Sequence, residues 1–377
     1  MADNKAPDTP EKIMEDLNKR ISTDIDVSYL ESGNMGLDLA LTGGKGIPLG
    51  DWITFTAGPA SGKTTILADA LRRLLTTHKK AGIPFKAVFI DIENSKNLLA
   101  SMGLRDFVKS QDLIHIPGQI TFTQLDAIYR TILLGKSPMY KDVKLIVIDS
   151  LTGVISATNA EDSCEKAEFG NDAKALTKFL KKYVPLHEEK GITTFAVCQV
   201  RQNLNAGPSN RYVEQKKAAL IDAAKHWSTV IVKLKKSTDS KNTELKKIKI
   251  KTIEGDTEEI QEKFIVELSS TGSDRKNRHG NIPDVSVLVR YGKGVINAYN
   301  LKRLLIGWGF VKRLESDKYE VSKDLPVEVK DTVYNTVDLN TLMVKEASTL
   351  YEFLLEKNMF TPFIKRMKEV PDGFEGG

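Results

Sequence analysis

The stretch TFTAGPASGKTT, residues 54–65, constrains this chain more than any other segment. Gly-Lys-Thr triplets are common by chance. Here the triplet lies between an apolar strand pattern, WITFTA (52–57), and an amphipathic helix pattern, TTILADALRRLLTTH (64–78). In that strand–loop–helix setting, loop N–H groups and the helix N-terminus converge on an anion, which makes the segment a candidate phosphate-binding loop. The usual spacing G-x-x-x-x-G-K-[ST] fails from Gly58 and is met only from Ala57. Alanine at a strand end keeps a negative φ and costs little there. The candidate nucleotide-binding residues are Gly58, Pro59, Ala60, Ser61, Gly62, Lys63, Thr64 and Thr65. Pro59 stiffens the loop, Gly62 allows close backbone approach, Lys63 offers a point charge to the β- and γ-phosphates, and the Thr64 hydroxyl suits Mg²⁺.

The flanking sequence predicts an α/β core. Further strand patterns are FKAVFID (85–91), DLIHIP (112–117), VKLIVID (143–149), TTFAVCQV (193–200) and STVIVKL (228–234). Helical patterns separate most of them, over 62–79, 121–134, 171–189 and 214–226. Val- and Ile-rich strands alternating with helices of this length imply a mainly parallel sheet covered on both faces. Beyond 235 the texture changes. The charged stretch 235–262 predicts a projecting hairpin, and FIVELSS (264–270) and DVSVLVRY (284–291) an antiparallel pair around a polar loop. Residues 295–310 and 346–369 read as helices. The division expected is 1–27, a tail with a short helix over 10–21 that serves oligomerisation; 28–310, the core; and 311–377, a small C-terminal domain.

Two strands end in carboxylates suited to phosphate chemistry. LIVIDS (145–150) closes on Asp149, which can complete a metal site; a plain buried strand with an Asp cap is the bland alternative. FIDIENS (89–95) ends in Asp91 and Glu93, and a carboxylate at the carboxyl edge can polarise an attacking water. Glu93 taken alone reads equally as a solvated loop acid. CQVRQN (198–203) places Gln199 at a strand end, where an amide can bond a γ-phosphate. By itself that residue is a weak signal.

Together these segments resemble the RecA family of recombinases. The likeness runs from YLESGNMGLDLALTGGKGIPLGDWITFTAGPASGKTT through FIDIE, LIVIDS and CQVR, in the family's order, over roughly residues 28–310. The shortened segment after Glu93 and the tail LLEKNMFTPFIKRMKEV are closer to bacteriophage UvsX-type recombinases. The resemblance implies a RecA-like P-loop NTPase core. It also implies an ATP- and Mg²⁺-dependent helical filament on single-stranded DNA that pairs it with homologous duplex and exchanges strands. It leaves room for loader or single-strand-binding proteins, and places the chain in a bacterial cytoplasm or nucleoid, phage-encoded if the finer likeness holds. Lys63 and Thr64 would bind phosphate and Mg²⁺, Asp149 would complete the metal site, Glu93 would be the catalytic carboxylate, and Gln199 would sense the γ-phosphate. The DNA-binding loops would be about 156–172 and 201–222. In the second, Arg201, Asn203, Asn205, Arg211, Tyr212, Lys216 and Lys217 offer phosphate, sugar and base contacts. Lys276 and Arg278, in SDRKNRHGN (273–281), would reach the ATP of the next subunit; a solvated basic turn is the equal alternative. Ring-forming ATPases on the same core, such as a replicative helicase or a clock-type regulatory ATPase, and a DNA-coating scaffold with slow turnover, are the competing readings.

The chain departs from that family in three places. KKAALIDAAK stands where the second loop carries a Gly-Gly pair, and the first loop is acidic. The tyrosine expected to stack on adenine has no clear match, Leu98 being nearest. Composition limits the rest. Net charge of +5 over 377 residues permits a nucleic-acid partner without requiring one. Cys164 and Cys198 fit neither a metal site nor a disulfide framework, which suits a reducing compartment. The polar first 20 residues predict no signal peptide, and no apolar run nears the ~20 residues of a membrane span.

Overall fold

The computed structural model describes residues 27–135, 137–156, 169–199, 222–237, 248–251, 257–260, 263–271, 275–282, 284–315, 318–329 and 333–356. An entry segment comes first. Strand β1 (Tyr29–Leu30) pairs antiparallel with β2 (Ile47–Pro48) around helix α1 (Met35–Thr42). The Asn34 side chain caps α1 by accepting from Leu37 N, and Gly43 closes it at φ 71°.

The core alternates as its apolar periodicity predicts: β3 (Trp52–Ala57), α2 (Lys63–Ala81), β4 (Lys86–Asp91), the short helices α3 (Lys96–Ser101) and α4 (Arg105–Lys109), β5 (Leu113–Pro117), α5 (Phe122–Tyr129), β6 (Val143–Asp149), α6 (Phe169–Lys190), β7 (Thr193–Gln199) and β8 (Val230–Lys236). The helix expected over 121–134 changes character at Arg130, where Arg130–Leu134 forms a π-turn. Of the helix expected over 214–226, residues 222–227 are described and are helical. Residues 10–21 lie outside the described residues.

Past β8 come β9 (Ile248–Lys251) and β10 (Thr257–Ile260), an antiparallel pair with Lys249 opposite Glu259. Next are β11 (Lys263–Ser269), β12 (Lys276–Asn277), β13 (Val285–Arg290), β14 (Gly294–Val295) and α7 (Asn297–Gly307). The main sheet runs β14-β13-β11-β8-β3-β7-β6-β4-β5. From β8 to β5 every neighbouring pair is parallel, while β11, β13 and β14 are antiparallel additions. The sequence predicts a polar loop over 273–281. The structure instead lays β12 against the start of β8, where the Asn277 side chain donates to Leu41 O at 2.9 Å and Ser270 Oγ at 3.0 Å.

Alternate residues of each strand feed opposite faces. Ile53, Phe55, Phe89, Val147, Phe195 and Val232 pack with Ile66, Leu67, Leu71 and Leu74 of α2. Trp52, Val88, Ile90, Ile146 and Ile148 pack with Leu125, Tyr129, Phe179 and Tyr183 of α5 and α6. Both faces are apolar, as a parallel sheet under two helical layers requires.

The C-terminal part adds a small antiparallel sheet of β15 (Val311–Arg313), β16 (Lys318–Val321) and β17 (Val333–Asn335), then α8 (Thr336–Lys345) and α9 (Ala347–Glu356). Its core includes Leu301, Leu304 and Leu305 of α7 and reaches Met35 and Leu39 of α1. Among the described residues, no helix is long and apolar enough to cross a membrane.

Candidate functional site

The described candidate residues fall on two edges of the sheet. Ala57 is level with Gln199 and Leu234, and Asp91 with Asp149. The phosphate loop, both acids and the glutamine therefore share the carboxyl edge, where ligands of open α/β sheets bind.

Ala57 ends β3 in extended backbone, so the atypical first residue of the loop is accommodated as alanine. The left-handed positions lie further on. Ala60 has φ 53° and Gly62 has φ 85°. For a non-glycine residue such as Ala60 that conformation costs ~1 kcal/mol. At Gly62 a Cβ would lie 2.8 Å from Phe264 Cε2, so glycine is required by space as well as by φ. Ser61 Oγ donates to Gly58 O at 2.8 Å and tightens the loop. No side chain caps α2, which leaves the N–H groups of its first turn for an anion.

Lys63 is almost buried and lies 3.5 Å from Glu93 Oε2. The Gln199 side-chain amide donates to the other Glu93 oxygen. The Thr64 hydroxyl donates to Asp149 Oδ2 at 2.5 Å, while Asp149 Oδ1 is buried with no hydrogen-bond partner among the described residues. Burial pushes the Asp149 carboxyl up to about 6; the charges of Glu93 and Asp91 add to the rise, and Thr64 and Lys63 oppose it.

This donor set fits a small hard dication. It supplies a hydroxyl oxygen and a carboxylate with one unsatisfied oxygen, beside the further carboxylates Glu93 and Asp91 whose charges act on it. Among the described residues, no group of three or more His, Cys, Asp or Glu could bind a metal alone. The remaining ligands would come from phosphate oxygens and water, as is usual for Mg²⁺.

The two acids after β4 have different duties. Asp91 is fully buried and accepts from Ser95 N through both oxygens, at 2.8 and 2.9 Å, and contacts His115 Nε2 at 3.0 Å. It is committed to holding the turn. The backbone N–H groups of Ile92 and Glu93 both donate to Asp149 O, which fixes Glu93 beside the phosphate loop. Two residues escape the sequence reading. Thr152 accepts the Gln199 backbone N–H at 3.2 Å. Tyr291, 49% exposed, stacks 4.4 Å from the Phe264 ring that abuts Gly62. An aromatic residue in a glycine turn, RYGKG, is its only sequence signal. Leu98 is partly buried against the apolar core.

Lys276 and Arg278 lie elsewhere. Lys276 pairs with Ile231 and sends its ammonium to His226 O at 3.2 Å; Arg278 N bonds Thr229 O at 3.2 Å. Both are toward the amino edge, away from the phosphate loop of the same chain. Burial and the neighbouring Arg278 charge lower the Lys276 pKa. Arg201, Asn203, Asn205, Arg211, Tyr212, Lys216 and Lys217 lie outside the described residues, as does most of 156–172.

Residues 11–261 match the family model described as the RecA N-terminal domain. Protein RecA of Mesomycoplasma hyopneumoniae (strain 7448) is 28% identical over 186 residues, covering 48% of this chain and 49% of that protein. Protein RecA of Trichodesmium erythraeum (strain IMS101) is 26% identical over 185 residues, covering 48% and 46%. Protein RecA of Ureaplasma parvum serovar 3 (strain ATCC 27815 / 27 / NCTC 11736) is 25% identical over 180 residues, covering 48% and 49%. The chain spans about half the length of the curated relatives it matches.

Proposed function

Because this chain belongs to the RecA family, we propose that it is an ATP-dependent recombinase that assembles on single-stranded DNA, pairs it with homologous duplex and hydrolyses ATP in response to DNA. The observation that carries this reading is the double engagement of Glu93, by Lys63 and Gln199, beside the Thr64–Asp149 pair. The residues that would grip a triphosphate are thereby wired to the residue from which the segment after β7 departs.

In this reading the first turn of α2 and Lys63 hold the β- and γ-phosphates. Thr64 and Asp149 would hold Mg²⁺, which would supply positive charge against the phosphate oxygens. Glu93 orients a water and takes its proton as the water oxygen bonds the γ-phosphorus and the bond to the β-phosphate oxygen breaks. Phosphate oxygens compete with Glu93 for Lys63 and Gln199, so nucleotide binding frees the carboxylate for that task. Tyr291 offers the purine base a ring to stack on. Lys276 and Arg278 act on a neighbouring subunit's nucleotide within a filament. Residues 1–27 serve assembly, and 311–377 an accessory role.

The test is phosphate release with and without single-stranded DNA, together with electron microscopy on DNA with a slowly hydrolysed ATP analogue. The expected result is DNA-stimulated release and open helical filaments. Closed rings alone, or release indifferent to DNA, would overturn the reading.

A further inference from the structure

Two backbone segments leave the carboxyl edge of the sheet together, and one hydroxyl joins them. Strand β6 stays in register with β7 only as far as Ile148 beside Ala196. After Asp149 the chain turns away into residues 150–156, so β7 loses its β6 neighbour just before its last residues. Gln199 N–H, at the end of β7, then finds its acceptor in the Thr152 side chain, at 3.2 Å. Thr152 Oγ1 also lies 3.2 Å from Ser150 Oγ. The Thr152 hydroxyl accepts from Gln199 and still has both a proton and a second lone pair with which to bond Ser150.

The same short segment is tied at its far end. Phe122 N donates to Ile155 O at 2.9 Å, the Gln119 amide donates to Gly153 O, and Ser156 N donates to Asp172 Oδ1 at 2.7 Å, at the start of α6. Hydrogen bonds thus run from Lys63 to Glu93 and the Gln199 side chain, and from the backbone N–H of the same Gln199 to Thr152 and the segment 150–156. A bare strand-end cap needs no such continuation in both directions.

We propose that Thr152 is a positioning residue that transmits phosphate occupancy from Gln199 to the segment 150–156. Movement of Gln199 from Glu93 to a phosphate would then reset residues 150–156 as well as the end of β7. The inference rests on the function proposed above and deepens it by naming the contact through which the second segment is coupled.

The test replaces Thr152 by Val, which keeps the branched shape and removes the acceptor, and by Ser, which restores it. Thr131→Val serves as a control, because the Thr131 hydroxyl only back-bonds to Ala127 O on an exposed helix face. Two quantities are read on the full chain. One is the ratio of single-strand affinities with and without a slowly hydrolysed ATP analogue and Mg²⁺. The other is hydrogen exchange of the Gln199 amide and of residues 150–156. Expected for Thr152→Val is at least a tenfold fall in the affinity ratio and faster exchange at Gln199. Nucleotide should no longer change exchange in 150–156, with recovery in Thr152→Ser. If wild type has a large ratio and Thr152→Val keeps it, the relay is wrong while the recombinase reading stands. If wild type itself shows no nucleotide-dependent affinity, the coupling does not exist and both fail. Loss in Thr152→Val without recovery in Thr152→Ser would also overturn the relay, because the shape of the side chain rather than its hydroxyl would then matter.

Discussion

Lys276 and Arg278 lie on the wrong edge of the sheet to serve their own nucleotide. Lys276 is level with Ile231 on β8, and Ile231 is level with Thr54 on β3. Gly58 lies four residues further along, ~13 Å at strand rise, and β12 is two strand spacings, ~10 Å, to the side. The Lys276 and Gly58 Cα atoms are therefore ~16 Å apart. Arg278 is level with Trp52 through the Thr229 contacts, which puts it ~22 Å from Gly58. Both separations exceed the reach of an extended lysine or arginine side chain. If the pair acts on a nucleotide, it acts across a head-to-tail interface. A cation supplied in this way is worth ~10³–10⁵ in kcat. The double variant Lys276→Ala/Arg278→Ala and the loop variant Lys63→Ala should each be close to silent alone. Mixed one to one on single-stranded DNA, half the subunits keep a working loop, and half of their neighbours keep the basic pair. About one quarter of wild-type phosphate release should return, with a maximum at equal proportions. The assay is a titration of one variant against the other at fixed total protein. A mixture that stays at the weighted sum of its parents would refute the assignment, as would a double variant with wild-type turnover.

Lys63→Ala alone should abolish DNA-stimulated hydrolysis, because Lys63 is the ammonium positioned at the first turn of α2; turnover retained in a phosphate-release assay would displace the site. Glu93→Gln should bind nucleotide at close to wild-type affinity while turnover falls at least a hundredfold, the ordinary worth of a general base. Unchanged single-turnover rates would remove Glu93 from the chemistry. Without nucleotide, stability should depend on pH through three buried groups; Asp149, pushed up to about 6 by burial, contributes stability present below pH ~4 and lost as pH rises through 6, about 3 kcal/mol. Burial pushes Asp38 up to about 7 against the Ser32 hydrogen bonds that lower it, so its contribution is fully present below pH ~4 and is lost as pH rises through 7, about 4 kcal/mol in all. Burial holds His187 down to about 4 although its bond to Tyr183 O favours the charged form, so its contribution is present above pH ~6.5 and is lost as pH falls through 4, about 3 kcal/mol. Between pH ~4 and 6 the two carboxyls outweigh the histidine in wild type, so its urea midpoint should fall as pH rises. Asp38→Asn leaves Asp149 and His187 nearly offsetting and should flatten that profile, and a variant profile parallel to wild type would contradict this.

The alternation of strand and helix was legible because buried parallel strands are short apolar runs and the helices between them carry a 3.6-residue period. Both are properties of neighbouring residues. The phosphate loop was legible for the same reason: its residues are contiguous, and their chemistry depends on a local strand–loop–helix turn. Strand ends bearing Asp149, Glu93 and Gln199 could be nominated one at a time. What each would touch could not, because contact between residues 30 to 106 positions apart follows from strand order, and periodicity does not encode order. Tertiary structure decided that Asp91 is consumed by Ser95 and His115 while Glu93 faces Lys63, although both are acids at the end of one strand. It decided that Thr152, an unremarked threonine in sequence, replaces the neighbour β7 loses where β6 turns away. It also decided that α7 shares its apolar side with the C-terminal sheet, and that a basic turn falls at the amino edge. Sequence determines which side chains are on offer at each strand end; the lateral packing of strands, a long-range balance of buried area and backbone pairing, determines which of them meet.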